Sequence, residues 1–192
     1  MNLINKKCSN KAKLIEQQSD GLSIFGNKNH LSSFDNDTKI LIVGTYIPYY
    51  LDYFYFGKYT HRIYGSIIDV ARKTNFEEKR KKILESDTKE ELIQDFIEEL
   101  KRQKIAFLDL FEFTLINSNV VADNEIKGFT IDNDSFKKVK TSKNLKCIIP
   151  ISKDAERILK SILGDDPRIE YHQLINGGTN KEWIEVFSRT YF

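Results

Sequence analysis

Two loops of this chain concentrate the residue types that could do chemistry. The first runs from Thr45 to Thr60 and is crowded with rings: Tyr46, Tyr49, Tyr50, Tyr53, Phe54, Tyr55, Phe56 and Tyr59. Exposed rings on a loop can stack on a nucleobase, because every base offers a π face. The alternative is that they pack the loop onto its own domain, as aromatic side chains commonly do. The same loop closes with Gly57-Lys58-Tyr59-Thr60-His61-Arg62 at the expected start of a helix. Unpaired backbone N–H groups at such a start attract anions, and Lys58 and Arg62 would add charge. An ordinary glycine turn and helix cap explains the same residues. The second loop runs from His172 to Gly178. An imidazole there could donate a hydrogen bond to a leaving group that gains negative charge. Asn176-Gly177-Gly178-Thr179 would let the backbone approach a ligand closely, or would simply turn into a capped helix.

Both loops have to be positioned by strands. Ile40, Leu41, Ile42 and Val43 are consecutive and apolar, so Lys39 to Gly44 predicts a strand covered on both faces. Ile105 to Leu110 predicts a second strand and Lys146 to Ile151 a third, with Cys147 as a buried thiol. Arg168 to Tyr171 predicts a short fourth. Between them lie helix patterns. After Thr60 the residues Ile63, Tyr64, Ile67, Ile68 and Ala71 recur at three- and four-residue steps. Thr88-Lys89-Glu90-Glu91 is a capping-box pattern that opens a helix carrying Leu92, Ile93, Phe96, Ile97 and Leu100. Ser152 predicts a helix cap, with Ala155, Ile158, Leu159, Ile162 and Leu163 facing inward and Gly164 as the stop. A last helix is expected to bury Trp183, Ile184 and Phe187.

Strands alternating with helices predict an α/β fold, a three-layer α/β/α sandwich around a small, mainly parallel sheet. In such a sheet both loops would open on the carboxyl edge, where ligands bind. Residues 1–38 read as an N-terminal extension, loose or helical in part (Ala12 to Gln17), with Gly21 to Asn29 a loop hooked by Leu22, Ile24 and Phe25. Residues 39–192 read as the domain. Phe111 to Lys143 reads as a long irregular connection.

The chain has 192 residues, enough for one core. Its 30 lysines and arginines nearly balance 28 acids, giving a net charge of +2 and arguing against a strongly basic coat. A local basic patch remains open, since affinity follows the charge placed near phosphates. Lys137, Lys138, Lys140, Lys143 and Lys146 form one such run, which could touch phosphates or simply be solvated. Two distant cysteines predict a reduced, cytoplasmic protein. No metal-ligand spacing, phosphate-binding P-loop, signal-peptide core or membrane-length apolar run is present, so no metal, no cofactor and no membrane partner is expected.

With strand, loop and helix laid out, the segment ILIVGTYIP resembles the first motif of the uracil-DNA glycosylase superfamily, an apolar strand followed by Gly, a short loop and Pro. The nearest likeness is to the branch of hypoxanthine-DNA and mismatch-type glycosylases. That branch has an aromatic pair, Gly, and a helix beginning Asn-Arg-Phe-Trp; Phe54-Tyr55-Phe56-Gly57 and His61-Arg62-Ile63-Tyr64 follow that pattern here. Ile105 to Asp109 resembles the second strand, which ends in Asp. Asp123 and Ile126 echo a weaker motif, and His172 to Asn180 stands where the family has its second catalytic loop.

The resemblance implies a monomer that binds DNA and acts on a base flipped out of the stack. It implies base contacts from Gly44, Tyr46, Pro48, Tyr55 and Phe56, and DNA phosphate contacts from Gly57, Lys58, His61, Arg62, Gly177, Gly178 and Thr179. Thr45 would orient water, Asp109 or Asp52 would supply the carboxylate, and His172 or Asn176 would stabilise the departing base. Three positions differ from the family pattern. Thr45-Tyr46 stands where active members usually carry Asp or Asn, His61 replaces the helix-start Asn, and LINGGTN replaces a Pro-Ser loop. A catalytically inactive DNA- or nucleotide-binding module is the alternative that these differences suggest.

Overall fold

Uninterrupted apolar runs need cover on both sides, and the three runs read from the sequence do form one sheet. A computed structural model of the chain describes residues 13–17, 22–26, 34–45, 98, 101–117, 126–150 and 152–170. In chain order the elements are β1 (Lys13–Gln17), β2 (Leu22–Gly26), β3 (Ile40–Gly44), β4 (Ile105–Asp109), β5 (Phe111–Asn117), β6 (Gly128–Ile131), α1 (Asn133–Thr141), β7 (Cys147–Pro150) and α2 (Lys153–Leu163). The helices expected after Thr60, after Thr88 and at Trp183 lie outside the described residues, apart from the helical Glu98, Lys101 and Arg102.

β3 is the centre of a parallel sheet ordered β4-β3-β7. Every residue of these strands is buried. Side chains alternate between faces along a strand. Leu41, Val43, Ala106, Leu108 and Ile148 point to one face and join a single core with Phe136 and Val139 of α1 and Ala155 and Leu159 of α2. Ile40, Ile42, Ile105, Phe107, Cys147 and Ile149 point to the other face and are equally buried. Both faces are therefore covered, and the fold is α/β with a small parallel sheet inside three layers.

α2 forms as its sequence dictates. Ser152 accepts a hydrogen bond from the Ala155 N–H at 3.0 Å, and Gly164 ends the helix with a φ of 74° that only glycine adopts without strain. Ala155 and Leu159 are buried, while Ile158, Ile162 and Leu163 pack partly buried against the same core.

A second sheet departs from the expectations. β1, β2, β5 and β6 form an antiparallel sheet in that order. Lys13–Gln17 is a strand and not a helical turn, and Leu22–Gly26 is a strand and not a loop. A helix of six residues without a partner barely nucleates, whereas β1 pairs with β2 from Lys13↔Gly26 to Gln17↔Ser23, and β2 pairs with β5 from Leu22↔Asn117 to Gly26↔Phe113. The stretch read as irregular from Phe111 contains β5, β6 and α1. α1 is capped by Asp132, whose carboxylate accepts from the Ser135 N–H at 3.1 Å and hydroxyl at 2.7 Å. The fourth expected strand shrinks to one parallel bridge, Ile148↔Ile169. Among the described residues, no helix is long and apolar enough to cross a membrane.

Candidate functional site

The two apolar runs end together because they start together. The Lys104 carbonyl accepts from the N–H groups of Lys39 at 2.8 Å and Ile40 at 3.2 Å, and the Lys39 carbonyl accepts from Lys146 at 2.8 Å. Lys104 takes a φ of 60° to aim that carbonyl, a conformation most non-glycine residues avoid. With the amino edge fixed, five residues of each strand pair in step from Ile40↔Ile105 to Gly44↔Asp109. The last register pair therefore sets Asp109 beside a residue with no side chain. Alternation puts Asp109 on the face of Phe107, in register with a glycine.

The carboxyl edge is then stitched to the second sheet. The Gly44 carbonyl accepts from Leu110 N–H at 2.9 Å, and the Thr45 carbonyl accepts from Phe111 N–H at 3.0 Å. Asp132 N–H donates back to the Leu110 carbonyl at 3.0 Å. Leu110 is thus the point where one continuous stretch of chain leaves the parallel sheet and enters the antiparallel one. Thr45 is 5% exposed and Asp109 2% exposed, and both have interaction partners. A buried carboxylate persists only when it is paired or hydrogen-bonded, so Asp109 sits in a built environment.

Connections diverge from this edge. The chain leaving β3 returns as β4 on one side, while the chain leaving β7 returns at Ile169 on the other. Such a switch point, between the ends of β3 and β7, is where open α/β sheets leave a crevice. α2 also starts here, but Asp154 and Glu156 occupy its first turn. These acids complement the helix dipole.

At the far side of β7 the chain is clasped. Arg168 Nε donates to Asp166 Oδ1 at 2.9 Å, Nη2 donates to Oδ2 at 2.6 Å, and Nη1 donates to the Ser142 carbonyl at 3.0 Å. Arg168's side-chain hydrogen bonds hold the Asp166 carboxyl below the usual carboxylate range, against the opposing effect of burial. The same bonds raise the guanidinium above its ordinary value. Beyond the clasp, Ile148 N–H donates to the Arg168 carbonyl at 2.7 Å and Glu170 N–H donates to the Ile148 carbonyl at 2.9 Å. The chain at Glu170 therefore runs parallel to β7, toward the edge that holds Gly44 and Asp109.

Of the residues singled out from the sequence, the structure brings Gly44, Thr45 and Asp109 together at one strand edge. Tyr46, Pro48, Asp52, Tyr55, Phe56, Gly57, Lys58, His61, Arg62, His172, Asn176, Gly177, Gly178 and Thr179 lie outside the described residues. Ile126 is half-buried against the core. Sequence reasoning missed Leu110 and Phe111, whose backbone N–H groups hold the Gly44–Thr45 turn. Phe111, Phe113, Thr114, Leu115 and Ile116 are strand-forming types, but a register shift puts Phe111 and Thr114 on the face opposite Phe113 and Leu115, so simple alternation did not mark them. Among the described residues, no three His, Cys, Asp or Glu side chains gather as metal ligands.

No family model matches the chain, and no curated protein matches it. Among solved structures, it is similar to a solution structure of a protein from Methanosarcina acetivorans provisionally assigned as a uracil DNA glycosylase. The identity is 18% and the TM-score 0.43, over 81% of this chain and 92% of that one.

Proposed function

We propose that the protein is a DNA base-excision N-glycosylase of the uracil-DNA glycosylase type, a cytoplasmic monomer that accepts a flipped-out base at the carboxyl edge of β3. The observation that carries the reading is the buried Asp109 in register with Gly44. It matches a first motif ending in Gly and a second strand ending in Asp. A carboxylate beside a bare glycine can hold a water close to a sugar carbon. In the proposed step the water oxygen bonds to C1′ as the C1′–N bond breaks. The electron pair stays on the base nitrogen, Asp109 takes one water proton while the other remains on the new C1′ hydroxyl, and the base leaves as its anion, which then takes a proton from solvent. Thr45 orients the water, and His172 or Asn176 donates to the departing base. The heading of the chain at Glu170 favours His172 arriving at the same edge. Tyr55 and Phe56 stack the base, Tyr46 and Pro48 wall the slot, and Gly57, Lys58, His61, Arg62, Gly177, Gly178 and Thr179 hold phosphates.

The test is incubation with oligonucleotides carrying uracil, hypoxanthine, xanthine or oxidised bases, followed by alkali to cut abasic sites. Excision of one of them is expected, falling at least 10²-fold in Asp109→Asn with the thermal unfolding midpoint retained. No excision from any substrate, or full activity in Asp109→Asn, refutes the reading. One observation favours the inactive binding module instead: Thr45 is buried, its carbonyl committed to Phe111, where active members usually carry Asp or Asn. Salt-sensitive DNA binding without excision would establish that module.

A further inference from the structure

β7 ends on Pro150, a residue with no backbone N–H to give. The hydrogen bonds of the strand show which neighbour loses that donor. The Cys147 N–H donates to the Lys39 carbonyl, on the β3 side. The Ile148 N–H points the other way and donates to the Arg168 carbonyl at 2.7 Å, and the Ile148 carbonyl accepts from the Glu170 N–H at 2.9 Å. Position 150 faces the same way as position 148. The next rung of this parallel ladder would run from the N–H of residue 150 to the Glu170 carbonyl. Proline cannot make it. Among the described residues, β7 accordingly meets the last segment in a single bridge, Ile148↔Ile169.

The bridge itself is firmly placed. The Ile169 N–H donates to the Asp166 carbonyl at 3.1 Å, closing a turn through Pro167 and Arg168. Asp166 Oδ1 accepts from the Arg168 N–H at 3.0 Å, and the guanidinium fork of Arg168 on Asp166 locks the same turn. A rigid turn therefore fixes the register at Ile169, and Pro150 denies the pairing its second rung. The level of that missing rung matters. Pro150 pairs with Val43, the residue before Gly44, and Gly44 pairs with Asp109. Pairing thus stops where the parallel sheet reaches its Gly44–Asp109 end. Two strand spacings, about 10 Å, separate β7 from β4, and Gly44 ends the strand between them.

We infer that Pro150 is a positioning residue. It stops β7 from zipping onto the chain beyond Glu170 and keeps the sheet parted beside Gly44, where a planar ring enters with its sugar toward Asp109. The role in excision rests on the glycosylase reading; the parting of the strands does not.

The experiment gives the donor back. Pro150→Val restores an N–H in a residue type suited to strands. Hydrogen exchange followed by NMR on the full chain should show the new amide at position 150 protected about as well as that of Ile148. Excision of whichever base the native protein removes should fall about 10²-fold in kcat, as a misplaced reacting geometry does. A chain with N-methylalanine at position 150, made by ligating a synthetic segment at Cys147, lacks both the N–H and the proline ring. It should excise like the native protein, which separates the missing donor from the packing of the ring. Circular dichroism checks that each chain folds. An unprotected amide at position 150 overturns the inference. So does a protected one with native excision, or loss of excision in a folded N-methylalanine chain. If the native protein excises nothing, the glycosylase reading falls, and the exchange result alone decides whether Pro150 parts the strands.

Discussion

Replacing Arg168 by alanine should cost about 3 kcal/mol of stability. The guanidinium makes a fork on Asp166, through Nε at 2.9 Å and Nη2 at 2.6 Å, and reaches the Ser142 carbonyl at 3.0 Å. Side-chain exposure is 19% for Arg168 and 11% for Asp166. An exposed ion pair would be worth about 0–1 kcal/mol, and breaking a fully buried one costs about 3–5 kcal/mol. This pair lies between those limits, so about 2 kcal/mol is assigned to the fork. About 1 kcal/mol more follows from leaving the Ser142 carbonyl without its donor. Urea denaturation followed by circular dichroism should place the midpoint of Arg168→Ala about 1 M lower. The sign with pH is also fixed. Asp166 titrates below the usual carboxylate range in the folded protein. Its contribution is therefore fully present above the usual range and is lost as pH falls through the lowered folded value. The native protein should lose stability over that acid window more steeply than Arg168→Ala. A loss under about 0.5 kcal/mol at neutral pH, or the same acid slope in both proteins, would refute the account of this clasp.

Two further outcomes rest on the core and its helices. Phe136→Ala removes a ring that is 2% exposed between α1 and the parallel sheet, and should cost about 3–5 kcal/mol in urea denaturation. Ser152→Ala and Asp132→Ala each delete the side chain that caps a helix, and each should cost about 1 kcal/mol by the same measurement; replacement by Gly should cost less.

The parallel sheet was legible because its strands are chemically unusual. Ile40 to Val43 leaves no polar position for solvent, and only a strand buried on both faces accommodates that. Asp109 at a strand end was legible for the same reason: it is the first residue to break the run from Ile105. α2 was legible from Ser152, Gly164 and the spacing of Ala155, Ile158, Leu159 and Ile162, all local signals. The second sheet was not. Leu22–Gly26 looks like a hooked loop until it meets Phe113–Asn117, a partner far along the chain. Phe111–Asn117 is rich in strand-forming residues, but a register shift between Phe111 and Phe113 breaks its alternation, and it follows Asp109 after a single residue. That the chain changes sheets at Leu110 is written in hydrogen bonds to Gly44, Thr45 and Asp132, and not in any residue pattern.

The sequence by itself determined which segments must be hidden from water, because burial of apolar side chains is a property each segment carries alone. Tertiary structure decided which strand lies beside which, and so that Asp109 stops level with Gly44 and that Pro150 faces the chain at Glu170. Pairing energy belongs to two segments at once and to the register between them, and neither segment encodes it separately.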